Sequence, residues 1–156
     1  MTVTQPTIER IRFPLVPRLA EVIEIVDLTP HMRRFVLQSE DLKTLDSRDA
    51  DDHMKLLFPA SGQEAPTLPV ETENGLTLPE GAVPSERRDF TPRAFDPAAG
   101  SLTVAFYLHG GGPAGTWAQD AMTGSKLGVM GPRGAQVVAG GTDVCLMLGA
   151  EPAVPV

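Results

Sequence analysis

The stretch "SLTVAFYLHGGGPAGTWA", residues 101–118, decides how this chain is read. Its first half alternates without a break: Leu102, Val104, Phe106 and Leu108 fall on one side of an extended backbone, and Thr103, Ala105, Tyr107 and His109 on the other. That two-residue period belongs to a strand with one buried face. Gly110, Gly111 and Gly112 then end the pattern. Pro113 suits a first helical turn, where its missing N–H is no loss, and Trp117, Ala118, Ala121 and Met122 follow at helical spacing before Gly124 stops the run. A strand that passes through glycines into a helix start leaves backbone N–H groups unpaired where no side chain blocks a ligand, and such a terminus attracts phosphate. Glycines ahead of a helix more often make only a tight connection, so this feature needs a partner to carry weight.

The segments around it are short. Fifteen glycines and fifteen prolines in 156 residues interrupt almost every apolar run, which predicts a mainly β fold. "AEVIEIVDLTP" (20–30) and "HMRRFVLQSE" (31–40) read as two strands joined at Thr29-Pro30, the second placing Phe35 and Leu37 on one face. "HMKLLFP" (53–59) alternates Met54, Leu56 and Phe58 against Lys55 and Leu57. Residues 60–87 promise little regular structure beyond a hairpin at Asn74-Gly75. "KLGVM" (126–130), "AQVVA" (135–139) and "DVCLMLG" (143–149) read as further strands, the last apolar on both faces.

The partner feature is "RRDFTPRAFDPAAG", 87–100, where Arg87, Arg88 and Arg93 surround Phe90 and Thr91 in a chain of formal net charge -7. A guanidinium offers planar, bidentate donors to a phosphate. Phe90 would wall a flat ring, and Thr91 offers a hydroxyl to a ring nitrogen. Asp96-Pro97 and Gly100 then turn the chain into the strand at 101. By itself an arginine-rich turn is most often a solvated face; with the glycine segment downstream, an anion becomes the better reading, and Arg87 alone is left as solvated.

Other chemistry is disfavoured. Twenty acidic against thirteen basic residues argue against a nucleic-acid partner. The single cysteine, Cys145, allows no internal disulfide or multi-cysteine cluster and reads as buried and inert. His31, His53 and His109 lack metal-ligand spacing, so no metal is expected. Neither paired carboxylates nor a Ser-His-Asp set suggests a catalytic residue of the protein's own. The amino terminus does not have the form of a signal peptide, and no run has membrane-spanning length; a cytoplasmic location without membrane contact is the simplest expectation, as a monomer or weak homodimer.

Six elements in order, "LTPHMRRFVL", "DDHMKLLFP", "RDFTPR", "YLHGGGPAGTWA", "GVMGPRG" and "LMLGAEPAVPV", resemble the siderophore-interacting protein family, flavin-dependent ferric-siderophore reductases of the ferredoxin-reductase superfamily. The resemblance runs from about residue 20 to the end. It implies a six-stranded antiparallel Greek-key barrel with one short helix holding noncovalent FAD, then an α/β domain for NAD(P)H, with a ferric siderophore as substrate. "RDFTPR" fits the family's flavin motif: Arg88 and Arg93 take the arginine positions for the pyrophosphate, Phe90 the place usually held by a stacking tyrosine, and Thr91 the hydroxyl position near the ring. Gly112, Ala114, Gly115 and Thr116 match the phosphate-holding segment, with Trp117 packed behind and His109 beside it. Lys55 is the candidate cation for an anionic ferric siderophore. On this resemblance residues 1–141 are the FAD-binding barrel, and 142–156 a stub of the first strand and turn of the NAD(P)-binding domain, before which the fold is truncated. A general flavin reductase lobe and a noncatalytic barrel that has lost FAD are the two alternative readings.

Overall fold

A computed structural model describes residues 7–48 and 52–138. In chain order the strands are β1 (Ile8–Arg12), β2 (Pro17–Thr29), β3 (Met32–Gln38), β4 (Met54–Phe58), β5 (Val70–Thr72), β6 (Gly75–Thr77), β7 (Glu86–Phe90), β8 (Ala94–Asp96), β9 (Ser101–Tyr107), β10 (Lys126–Met130) and β11 (Gly134–Val138). One α-helix, α1, spans Gly112–Asp120, and a 3₁₀ turn spans Glu40–Thr44. The mainly β expectation holds.

Seven strands form one antiparallel sheet in the order β7-β4-β10-β2-β3-β9-β8. The register puts Phe35 opposite Val104 and Leu37 opposite Leu102, so the buried rows of β3 and β9 coincide. Phe35, Leu37, Leu56, Phe58, Leu102, Val104 and Phe106 are almost wholly buried. The sheet curls around them into a half-barrel whose end strands, β7 and β8, are not joined by a ladder among the described residues. It has one strand more than the six implied by the resemblance, because the turn at Asp96-Pro97 lets three-residue β8 pair back on β9. Pro92, which has no N–H to donate, separates β8 from β7.

Three sequence expectations are met locally. Thr29-Pro30 turns β2 into β3, with the Thr29 hydroxyl accepting from the His31 N–H at 3.2 Å. The hairpin at Asn74-Gly75 joins β5 to β6, with Gly75 at φ +95°, a conformation in which a side chain would be strained. Residues 135–138 of the "AQVVA" strand lie in β11, which pairs with β1, outside the seven-stranded sheet. β1 was not legible because "IERIR" carries charge at three of its five positions and its residues are largely exposed. β7 was missed for the same reason: "ERRDF" is four charges and one aromatic. The "DVCLMLG" segment, Cys145 and residues 142–156 lie outside the described residues.

Two arginines fasten the periphery to the sheet. Arg18 is buried, yet every donor group it has is used: Nε donates to the Asp41 carbonyl (3.0 Å) and the Thr44 hydroxyl (3.1 Å), Nη2 to the Thr44 carbonyl (3.0 Å), and Nη1 to the Val16 carbonyl (3.0 Å). Burial pulls its pKa down and nearby Asp41 pulls it back up; a guanidinium so far above neutrality stays charged. Arg33 on β3 pairs with Asp27 on β2 (Nε to Oδ1 2.6 Å, Nη2 to Oδ2 3.2 Å) and reaches the last turn of α1. Hydrogen bonding from Arg33 lowers the Asp27 pKa against the opposing effect of desolvation, and the charge of Arg33 adds to the lowering.

Replacing Arg18 with Met takes the donor from the part-buried Val16 and Thr44 carbonyls, while the Asp41 carbonyl keeps the Thr44 hydroxyl, and stability in urea unfolding should fall by about 2 kcal/mol; a loss within error of zero would show the 3₁₀ turn is held otherwise. Because the folded pKa of Asp27 is depressed, its contribution is complete above the unfolded value of about 3.9 and is lost as pH falls through the folded one. Asp27→Asn should therefore lower stability at pH 7 and flatten the acid side of the stability profile below about pH 4. An unchanged acid limb would show that the pair contributes nothing to it.

Candidate functional site

β7, an end strand of the sheet, finishes in Phe90, opposite Met54 of β4. Phe90 is the one apolar residue of that strand, and burial selects its position: its ring packs on Phe106 (centroids 4.4 Å apart) and approaches Phe58 (6.3 Å). From the facing side β9 presents Ala105, Phe106 and Tyr107, and then the chain turns at His109 into the glycine segment. Gly110 and Gly112 both have φ +73°, in the left-handed region that other residues avoid. The helix that follows has Gly111 as its N-cap, without a side-chain capping bond, and no acidic residue in its first turn. Its opening N–H groups are thus left to a ligand or to solvent.

These elements line an open cavity of about 340 Å³. Phe90, Thr91 and Asp89 line it from β7 and the residue beyond, β9 supplies the adjoining wall through Ala105, Phe106 and Tyr107, and Ala114 and Gly115 of α1, with His109, form the third side. The His109 ring folds back over the helix start, its Cε1 4.0 Å from where a side chain at Gly115 would begin. Trp117 lies beneath, packed on Phe35 (5.1 Å), Phe106 (5.6 Å) and Phe58 (5.9 Å), so it belongs to the core side of the helix as the sequence suggested.

Five of the residues singled out in the sequence therefore share one cavity: Phe90, Thr91, His109, Ala114 and Gly115. Gly112 sits at the helix entry and Thr116 on its exposed side. The arginines do not line this cavity. Arg88 points away, donating to Glu86 (3.1 Å) and to the Arg87 carbonyl (2.7 Å), and lines a second, larger hollow of about 980 Å³ together with Arg87 and Arg133. Arg87, taken from sequence as merely solvated, is part of that hollow. Arg93 stands where the chain enters β8, its backbone N–H bound to the Thr103 carbonyl at 2.8 Å. Lys55 is not a bare cation: it pairs with Asp89 across the β4–β7 ladder at 2.5 Å. Both partners are solvent-accessible, so the pair contributes at most about 1 kcal/mol to stability, but it sets a carboxylate between the lysine and the cavity.

The donor set fits FAD. At about 340 Å³ the cavity is near the small end of ligand sites, which run from roughly 300 to 1,000 Å³, and it suits a flat ring system rather than a whole dinucleotide. Phe90 and Phe106 give it an apolar wall, Thr91 a hydroxyl, and the uncapped helix start beside it offers amides to a phosphate. Sequence reasoning missed two groups that shape this site: Asp89, whose position in the motif is unremarked, and Arg33, which holds the other end of α1. Arg33 did carry a signal, since it lies in phase with buried Phe35 and Leu37.

Comparison with known proteins agrees with this geometry. Residues 21–136 match the family described as Siderophore-interacting FAD-binding domain. An NADPH-dependent ferric-chelate reductase of Escherichia coli K12 is 39% identical over 130 residues, covering 83% of this chain and 50% of the relative. The crystal structure of a siderophore utilization protein from T. fusca superposes with a TM-score of 0.74 at 38% identity, over 87% of this chain and 51% of that one. The fold alone extends further, to the cytochrome b5 reductase domain of Ulva prolifera nitrate reductase (TM-score 0.50, 16% identity, 75% of this chain and 41% of that one). The chain spans about half the length of the first two. A flavin motif and a glycine-led helix start meeting at one cavity, within a curled antiparallel sheet matched along 21–136, make this chain a member of the siderophore-interacting FAD-binding domain family.

Proposed function

We propose that this chain is the FAD-binding part of a ferric-siderophore reductase that takes electrons from NAD(P)H. The observation that carries the reading is the convergence of Phe90 and Thr91 with Ala114 and Gly115 on one cavity, although 23 positions separate Thr91 from Ala114 in the chain. Phe90 provides a face for the ring, and the Thr91 hydroxyl a hydrogen-bonding partner at its edge. The amides at the start of α1, entered through Gly112, would hold the pyrophosphate, and Arg88 and Arg93, which lie outside the cavity, would have to turn toward it to be its cationic partners, Arg88 by leaving Glu86. When bound, FAD supplies the step from two-electron to one-electron chemistry that ferric iron requires.

The chain's own residues do the holding and shielding. Phe106 and Trp117 keep the floor of the cavity dry, and His109 covers the helix start. Tyr107 and His109, with ring centroids 6.3 Å apart, form the exposed rim where a large substrate would approach. Lys55 would meet an anionic ferric siderophore there, in competition with its pairing to Asp89. In this reading residues 1–141 are the FAD-binding domain and 142–156 open the NAD(P)-binding one. The half-length match to the ferric-chelate reductase supports that division.

The test is direct. The purified chain should take up one equivalent of FAD and become yellow, and its bound flavin, once chemically reduced, should be reoxidised by a ferric siderophore. Failure to retain added FAD would remove the proposal. Phe90→Tyr restores the residue expected at this place in the motif and adds a hydroxyl facing the cavity; FAD should bind about fivefold tighter, the scale of one neutral hydrogen bond. Weaker binding by the tyrosine variant would show that the ring does not rest on residue 90.

A further inference from the structure

We infer that Arg33 is a positioning residue for the cavity: from β3 it pins the carboxyl end of α1 and thereby sets where the amino end of that helix stands. The inference rests on the FAD reading above only for its effect on cofactor affinity; the pinning itself stands on geometry.

α1 is nine residues, about 13 Å long at 1.5 Å per residue. Its attachment at the cavity end is light. The link from β9 is Gly110-Gly111-Gly112, where a side chain at Gly110 or Gly112 would meet nothing within 4 Å and no side chain caps the helix, so that end is held through Ala114 and buried Gly115. At mid-length Trp117 and Ala118 seat the helix on the core, and Ala121 adds a contact just beyond its end. The far end carries a polar restraint as well. No basic residue stands in the last turn of α1, and its closing carbonyls are served from outside: Arg33 Nη1 donates to the Ala118 carbonyl at 2.9 Å and the Gln119 carbonyl at 3.2 Å. A cation at that end is also favoured by the helix dipole.

Arg33 is built to do this. It stands opposite Phe106 in the β3–β9 ladder, on the same row as buried Phe35 and Leu37, and its side chain is only 22% exposed. Asp27 grips Nε and Nη2 as a fork, which leaves Nη1 aimed at the helix. A lysine has one point charge and cannot hold a carboxylate in a fork while serving the helix. Phe106 thus lines the cavity while its ladder partner holds the helix that closes it.

The test uses Arg33→Met, Arg33→Lys and Asp27→Asn in the full chain at 10 °C, with the folded fraction verified by circular dichroism. FAD affinity is read by flavin fluorescence. In FAD-free protein, α1 is read by amide hydrogen exchange and by the emission of Trp117, the single tryptophan. Arg33→Met should weaken FAD about tenfold, the scale of one charged hydrogen bond, with faster exchange across α1 and shifted Trp117 emission. Arg33→Lys should fall between it and the unaltered chain. Asp27→Asn, which spares the donors to the helix, should change FAD affinity by no more than about threefold, less than one neutral hydrogen bond. If Arg33→Met lowers the urea midpoint but leaves FAD affinity, exchange and Trp117 emission unchanged, Arg33 merely stabilises the sheet and the inference is wrong. If Asp27→Asn weakens FAD as much as Arg33→Met does, the helix contacts are not what matters, and the inference is equally wrong. Should the unaltered chain bind no FAD, exchange and emission decide the pinning: altered values in Arg33→Met uphold it, and unaltered ones overturn it.

Discussion

Phe106 is the contact on which the rest depends. It is 2% exposed, yet it belongs to two environments at once. On one side it meets Phe35, Phe58 and Trp117 at ring separations of 5.0 to 6.2 Å; on the other it meets Phe90 at 4.4 Å and lines the cavity. Aromatic pairs at such separations contribute about 0.5–1.5 kcal/mol each beyond their buried area. The cavity is therefore not an indentation added to a finished fold. Its floor is the outermost layer of the core, and whatever displaces the core displaces the floor.

The opposite wall is made on other terms. β9 hands the chain to α1 through three glycines, two of them in the left-handed region, and the helix starts without a cap. Each choice is locally unfavourable: glycine is costly to order, and a glycine N-cap forgoes a few tenths of a kcal/mol against a capping side chain. Together they leave bare amides at the edge of an apolar hollow. A local departure from good helix chemistry that has no structural return is the kind of departure that functional sites show. The compensation lies elsewhere, in the Trp117 seat and in Arg33.

Much of this was legible in the sequence, and the exceptions have a common cause. Strands β3, β4 and β9 were readable because one face of each carries a buried apolar row at a period of two, although Leu57 and Ala105 are buried on the other face as well. The hairpin at Asn74-Gly75 and the helix after Pro113 were readable from turn and start chemistry. β1 and β7 were not, because they bury almost nothing: their pairing is held by backbone bonds, to which side-chain pattern is silent. The same holds at the site. Phe90, Thr91, His109, Ala114 and Gly115 were found by residue type and order, and they converge. That Asp89 sits between Lys55 and the cavity, and that Arg88 lines the larger hollow, depends on which side of an exposed strand each residue takes; a strand with no buried face gives no clue to that.

The central claim is that a flavin ring occupies the hollow above Phe106, within a few ångströms of the Trp117 layer. Trp117 is the single tryptophan of the chain, and its ring centroid lies 5.6 Å from that of Phe106. The most direct measurement is its emission during titration with FAD. Saturable quenching that ends at one FAD per chain is the expected result, with the same end point as the change in flavin fluorescence. Unchanged Trp117 emission while FAD binds would place the ring elsewhere and contradict the assignment.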